Sequence, residues 1–356
     1  HLLQIGGNNM DIQLVGYDVL GPGGSEGIRY AWESKTSPYY VESAAFMQHS
    51  KGTKDNICGY TTSVSSGCVL KDMDLACKFC RTGTQLPFGS GLTSIEIAKQ
   101  NVFMVLCDMN CSDYPDLRNN QREFAYMGQG DPGFFYNQVR EAIQITNIVM
   151  DKLDQIVFRH IIATSGVPQM IKQYINDVQQ KFFSSRTTMH FSLHGTKKRS
   201  QIMPINNLFA YKESLKELYK IAPITGEKPC IGILLLKNFI PINSDKPYTT
   251  DFDAIQEILA ELDPELVRLS FCEFNGSPDL GTYDPYDENM SIKILDYAKR
   301  KGFEAKLFSS FGRKEVTACG MLGGKAPQNV PSSKWAILEK EAERLVLAAV
   351  DFVESL

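Results

Sequence analysis

From about residue 57 onward the chain alternates two hydrophobic patterns. Apolar runs of five to nine residues, near 58–65, 123–128, 155–163, 188–193, 230–238, 266–273 and 303–308, read as buried strands. Between them, 93–108, 136–153, 167–183, 208–221, 251–262 and 289–301 place apolar residues at helical spacing. Strand, helix, strand in repetition predicts an α/β fold of parallel strands with crossover helices outside a closed or open barrel. A last amphipathic helix, rich in Glu and Leu, is expected over about 333–354. Residues 1–56 read differently. They hold strand-like runs at Ile12–Leu20 and Tyr39–Met47 and a turn at Gly21, Pro22, Gly23 and Gly24, so they predict a β-rich extension rather than an independent domain.

Composition narrows the class. Of 356 residues, 43% are hydrophobic and 22% charged, which supports a sizeable core and excludes disorder for most of the chain. No run approaches the roughly 18 consecutive apolar residues of a membrane span. The first residues lack a charged-then-apolar signal pattern, so the expectation is a cytoplasmic protein without a membrane partner. The net charge of −4 argues against a whole-surface nucleic-acid binder. Lys197, Lys198 and Arg199 form a local basic run, read as a solvated helix start.

In parallel α/β folds, chemistry gathers at the carboxyl ends of the strands. The sequence places a row of polar residues there: Gly67-Cys68, Met127-Gly-Gln-Gly130-Asp131-Pro132, Thr164-Ser165-Gly166, Ser192-Leu-His194-Gly195 and Glu273-Phe274-Asn275. Singly, each has a plainer role. Asp131 before Pro132 is a turn former, Ser165 and Ser192 are helix caps, and His194 is a satisfied core histidine.

Nine cysteines in a chain of this length are too sparse for a secreted disulfide framework. Cys68, Cys77 and Cys80 follow the first barrel strand, and Cys77-Lys-Phe-Cys80 can bind one metal centre from a single turn. Three thiolates on a four-iron cluster leave one iron open to the amino and carboxylate groups of S-adenosylmethionine (SAM). A zinc site built from Cys77, Cys80, Cys107 and Cys111, or plain buried thiols, are the alternatives.

The order of these pieces resembles the radical-SAM superfamily, and within it the RlmN/Cfr-type rRNA adenine methyltransferases. The similarity covers roughly residues 40–324. Val64-Ser-Ser-Gly-Cys68 and Cys77-Lys-Phe-Cys80-Arg-Thr-Gly83 resemble the two ends of that family's cluster loop, and Gly91–Ile97 the helix that follows. Gly130-Asp131-Pro132 resembles its Gly-Glu-Pro motif, which holds the methionine amino group. Thr164–Gly166 and Ser192–His194 resemble its ribose and carboxylate contacts, and Met203–Asn206 the stretch after them. Phe274-Asn275 resembles a pair near the adenosyl ribose, and Thr317–Leu322 the C-terminal cysteine segment.

The resemblance implies a partial (β/α)6 radical-SAM barrel at 57–324, with the extension before it and a C-terminal helix at 325–356. It implies a [4Fe–4S] cluster on Cys68, Cys77 and Cys80, with SAM bound by Gly130, Asp131, Pro132, Ser165, Ser192, His194 and Asn275. It implies that Cys319 takes a methyl group from one SAM, that a 5′-deoxyadenosyl radical from a second SAM activates this methyl group, and that it is delivered to an sp² carbon. A second cysteine then resolves the adduct.

Three departures follow. Eight residues, Val69–Ala76, separate the first two cluster cysteines, more than in the family. The resolving position, seven residues before Cys68, is Thr61, which leaves Cys58 as the candidate. The arginines that precede the family's cysteine segment are replaced by Phe308-Ser-Ser-Phe311-Gly312, and there is little room for an RNA-binding domain. The expected substrate is therefore a small molecule, nucleotide or peptide rather than ribosomal RNA, with flavodoxin or ferredoxin as electron donor. Two rivals stay open: radical chemistry in which Cys319 quenches a substrate radical, and a zinc-bound binding protein.

Overall fold

A computed structural model describes residues 10–21, 27–48, 57–110, 121–308 and 321–355. Three antiparallel strands come first: β1 (Ile12–Leu20), β2 (Gly27–Ser34) and β3 (Ser37–Gln48). β4 (Ile57–Thr62) pairs antiparallel with β3 and opens the barrel. The loop after it carries the two-residue strands β5 (Ser65–Ser66) and β6 (Ser90–Gly91), which pair with each other and flank short helices α1 (Val69–Asp72) and α2 (Arg81–Gln85).

Alternation then sets in with α3 (Ser94–Asn110), β7 (Gln121–Tyr126), α4 (Tyr136–Lys152), β8 (Ile156–Thr164), α5 (Pro168–Gln179) and β9 (Thr187–Ser192). It continues through α6 (Arg199–Ile202), α7 (Tyr211–Leu218), α8 (Ile221–Thr225), β10 (Cys230–Leu235), β11 (Ile240–Pro241), α9 (Phe252–Ala260) and β12 (Arg268–Glu273). The last elements are β13 (Gly281–Thr282), α10 (Glu288–Arg300), β14 (Ala305–Phe308) and α11 (Ser333–Glu354), with β13 paired to β11.

The main sheet runs β1-β2-β3-β4-β7-β8-β9-β10-β12-β14. From β4 to β14 every pairing is parallel, so seven strands and six helical crossovers make the partial barrel. The predicted strands and long helices all form. β2 was not foreseen, and the N-terminal strands prove to be a continuation of the barrel sheet. The predicted turn at 22–24 lies outside the described residues.

Strand alternation sorts the barrel's two faces. Phe124, Tyr126, Ile162 and Met189 are buried towards the helices, whereas Glu123, Ala125, Arg159, Ile161, His190 and Ser192 line the interior. The helices match: Ile294 and Ala298 of α10, one turn apart, are fully buried, and Asp251 and Asp287 cap α9 and α10 by accepting N–H bonds from Ala254 and Met290. α3 is buried almost all round because α11 packs over it beside α4, an arrangement fixed by fully buried Lys99 pairing with Glu339 and Glu343 of α11. Among the described residues no helix is long and apolar enough to cross a membrane.

Candidate active site

A cavity of about 330 Å³ fills the barrel interior, bounded by Cys68, Cys77 and Cys80, by Gly130 and Asp131, and by Ser165, Ser192, His194 and Asn275. The sequence-predicted residues of the strand ends are thus brought together, except Pro132, which starts the 3-10 turn behind Asp131.

The cysteine loop owes its shape to local rules. Gly67 has φ +71°, and a Cβ there would meet the Pro87 carbonyl oxygen at 2.0 Å, so only glycine lets the two ends of the loop close. The Val69–Ala76 insertion is a compact turn: α1 buries Leu70, and Leu75 N–H closes it on the Leu70 carbonyl at 2.7 Å. Lys71 donates to the Thr84 carbonyl and Asp72 accepts from Phe88 N–H, holding the insertion against the far side of the loop. Cys77 and Cys80 face each other across a turn in which Cys80 N–H donates to the Cys77 carbonyl at 3.2 Å.

All three thiols are free. Burial makes all three weaker acids, and at Cys68 and Cys77 the charge of neighbouring thiolates adds to it: the pKa of Cys68 is raised to about 12, and those of Cys77 and Cys80 are raised also. Backbone N–H groups of Leu70 and Lys71 point at the Cys68 sulfur, and those of Thr82 and Gly83 at the Cys80 sulfur. Buried thiols carrying N–H donors and opening on one cavity suit a cluster, whose charge draws the protons off. Cys107 lies buried on α3, and Cys111 is outside the described residues.

Gly130 also must be glycine: φ is +86°, and a Cβ would sit 2.1 Å from Ser65 Oγ. This close approach presses the Gly-Asp-Pro turn onto the cysteine loop. Asp131 Oδ1 accepts Gly133 N–H at 2.7 Å, and Oδ2 accepts Ser165 N–H at 2.7 Å together with the Ser165 hydroxyl. A carboxylate has about four acceptor sites. Three are used to tie the end of β7 to the end of β8, so one is left for a ligand's ammonium group. Ser165 is thereby spoken for, and its role is to hold Asp131.

His194 adopts φ +57° and its Nδ1 accepts Leu234 N–H at 3.0 Å, which places the proton on Nε2. Burial, aided by the Arg199 charge, lowers its pKa to about 3, so the ring is a neutral donor. Phe79, between the paired cysteines, packs edge-on against it at 5.0 Å.

Arg199 corrects the sequence reading. Lys197 and Lys198 are exposed, but Arg199 is 1% exposed. It donates to the carbonyls of Leu193 (2.9 Å), Ser165 (2.6 Å) and Ser192 (3.0 Å) and to Asn206 Oδ1 (3.1 Å). It therefore clamps the ends of β8 and β9, and its charge acts on Asp131 and Cys77. Ile202, one turn on and fully buried, was the signal that this helical face points inward.

Cys58 is also corrected. It is buried on the helix-facing side of β4 with Tyr60, Arg122 and Asp108, its thiol pushed up to about 11 by burial first. Gly59 and Thr61 hold the inward positions. The cavity-lining thiol that sequence reasoning passed over is Cys272 on β12. Cys319 lies outside the described residues. Just past it, Arg81 donates to the Met321 carbonyl at 3.5 Å and Thr82 Oγ1 to the Leu322 carbonyl at 2.6 Å.

An incompletely closed parallel barrel with three thiols on the loop after its first strand, facing a Gly-Asp-Pro turn across one cavity, is similar to the arrangement of the radical-SAM enzymes, which use a [4Fe–4S] cluster and SAM. A radical-SAM methyltransferase from Sphaerobacter thermophilus has this fold, with a TM-score of 0.71 at 16% identity over 89% of this chain and 82% of that one. In sequence the chain resembles the RlmN/Cfr-type methyltransferases. It is 27% identical over 278 residues to a probable dual-specificity RNA methyltransferase RlmN of Petrotoga mobilis, covering 76% of this chain and 72% of that protein. It is 23% identical to the RlmN of Parvibaculum lavamentivorans, over 79% of this chain and 64% of that one. It is 27% identical over 255 residues to the ribosomal RNA methyltransferase Cfr of Clostridium botulinum, covering 69% and 65%. No protein-family model matches the chain.

Proposed function

We propose that this chain transfers a methyl group to an sp² carbon, with Cys319 as the carrier and Cys68, Cys77 and Cys80 holding the cluster. The observation that carries this reading is the docking of the chain just past Cys319 onto the turn just past Cys80, through Thr82 and Leu322. Leu322 itself lines the cavity.

When bound, the cluster and SAM supply an electron and a 5′-deoxyadenosyl radical. The protein's own residues orient and enclose. Asp131 has one acceptor site for the methionine ammonium group, His194 Nε2–H is a neutral donor, and Asn275 closes the far rim. Ser192, Gly130 and Pro132 fix the backbone around them. Cys272, inward on β12, is placed to act as the second thiol, a role that the position of Cys58 does not suit.

The sequence reading set ribosomal RNA aside as substrate, and the relatives' names, RNA methyltransferases throughout, give that exclusion no support. RNA and small molecules both enter the search. The electron donor is expected to be of flavodoxin or ferredoxin type.

The test is anaerobic reconstitution with iron and sulfide, addition of SAM and dithionite, and mass spectrometry of small products and of the Cys319 peptide. 5′-Deoxyadenosine with a methylated Cys319 is expected. An unmodified Cys319 beside 5′-deoxyadenosine discards the carrier role, and a colourless, iron-free protein discards the cluster.

A further inference from the structure

The barrel interior carries a set of charges that the SAM-binding rim does not use. Glu123 on β7, Arg159 on β8, His190 on β9, Ser270 on β12 and Lys306 on β14 all line the cavity, and they lie nearer the amino ends of their strands than the rim residues do. Arg159 is paired with Glu123 across neighbouring strands. Arg268 opens β12 and bonds to Thr188 Oγ1 at 3.3 Å and, at 3.4 Å, to Glu227, which is itself held by two guanidinium nitrogens of Arg186.

Lys306 differs. It has no carboxylate within 4 Å among the described residues, and its charged end lies 5.9 Å from the centre of the Phe308 ring. In register it sits beside Ser270, which pairs on with Gly232 and Ser192, so it shares one wall with the rim. The charges of Lys306, Arg268 and Arg159 all reach His190, which burial keeps neutral. The inner end of the cavity is therefore cationic beneath an apolar middle, with Phe46, Ile161, Leu234, Phe274 and Phe308 around it.

We propose that this inner end is a substrate subsite that takes an anionic group, a carboxylate or a phosphate, on Lys306 with support from Arg159 and His190, while a flat unsaturated ring lies among the phenylalanines. The inference rests on the reading of the cavity as a radical-SAM site and adds the substrate's chemical class. Lys306 is solvent-exposed as well as cavity-lining, and a cation with no carboxylate partner among the described residues at that end of an apolar cavity gives orientation: it fixes one end of the substrate and turns the other towards the rim, where the reaction takes place. The anion has two sources, a free organic acid or the phosphate of a nucleotide, and they share this chemistry.

The experiment uses the full chain, reconstituted anaerobically and saturated with SAM. Dissociation constants are measured for benzoate, phenyl phosphate and neutral benzamide, and for adenosine 5′-monophosphate and adenosine. At least one anion of a set is expected to bind roughly tenfold more tightly than its neutral partner, the loss of one charge-assisted contact. That preference should vanish in Lys306→Met and return in Lys306→Arg. Preference confined to the monophosphate names a nucleotide as the source, and preference confined to the benzene series names a small acid. Equal binding of anion and neutral partner in both sets, or a preference unchanged in Lys306→Met, overturns the subsite. Release of 5′-deoxyadenosine by the wild-type chain, measured in the same preparation, checks the underlying reading separately.

Discussion

Thr82 Oγ1 donates to the Leu322 carbonyl at 2.6 Å across 240 residues of sequence, joining the turn that follows Cys80 to the segment that follows Cys319. Beyond it, Gly324 N–H donates to Glu42 Oε2 at 2.8 Å, and the same oxygen accepts from the Gln129 side chain at 2.9 Å. Glu42 is fully buried against Arg29, which also pairs with Asp18 and donates to the Lys325 carbonyl at 3.0 Å. One carboxylate thus joins the N-terminal strands, the Gly-Asp-Pro turn and the C-terminal segment.

Glu42→Ala leaves Arg29 paired with Asp18 but takes the acceptor away from one guanidinium nitrogen, from the Gln129 amide and from Gly324 N–H. Losing bonds to a buried charged acceptor costs about 1.5–3 kcal/mol. Chemical denaturation should show a loss of that order, and hydrogen exchange at the Gly324 amide should rise. An unchanged midpoint would remove the carboxylate from its place as a hub.

Asp131→Asn tests the clamp between β7 and β8. Both carboxylate oxygens face donors, and an amide offers only one acceptor, so one donor must meet an NH₂ group. Losing bonds to a charged acceptor costs about 1.5–3 kcal/mol. SAM affinity by equilibrium dialysis should fall about tenfold or more, with faster exchange at Ser165 N–H. Equal affinity in the variant would show that the turn keeps its shape without the charge.

Thiol labelling separates Cys272 from Cys58. In the native, cluster-free chain, a small alkylating reagent should modify half-buried Cys272 and leave Cys58 untouched, since Cys58 is 1% exposed and its thiol is raised to about 11. Peptide mapping that found Cys58 labelled first would reverse the assignment of faces on β4.

His160 predicts an acid limit. It is buried between Asn147 and Tyr126, and burial pulls its folded-state value from 6.5 to about 3. The unfolded chain binds this proton more readily, so the contribution is complete above pH 6.5 and declines as pH falls from there to about 3. The slope over that window is about 1.4 kcal/mol per pH unit. His160→Phe is expected to be less stable at pH 7, because two hydrogen bonds are lost, but to show a flatter decline between pH 6 and 4 in urea titrations at stepped pH. Parallel declines in both proteins would assign the acid sensitivity elsewhere.

The alternation of buried strands and amphipathic helices is strong in this sequence, which is why the barrel strands and long helices could be placed from pattern alone. The strand-end motifs were legible for the same reason, since topology collects them at one rim. What the pattern did not reveal depends on which way single side chains point. Arg199 sits in a basic run but faces inward, Cys58 differs from Thr61 only in the parity of its strand position, and Lys306 is one polar residue in a short apolar run. β2 escaped because Arg29 and Glu33 interrupt its apolar pattern, and Arg29 is buried only by virtue of Asp18 and Glu42 on neighbouring strands.

The N-terminal strands complete their contacts with residues made some 300 positions later. Leu14 N–H waits for Glu339, 325 residues on, and Asp18 for Gln328 N–H, 310 residues on. A nascent chain therefore exposes the outer face of β1 and the charges of Asp18 and Arg29 through most of its synthesis. The bonds from Thr82 to Leu322 and from Gly324 to Glu42 form only once residues 322–324 have been made, so the cysteine loop precedes its C-terminal contacts by 240 residues of synthesis.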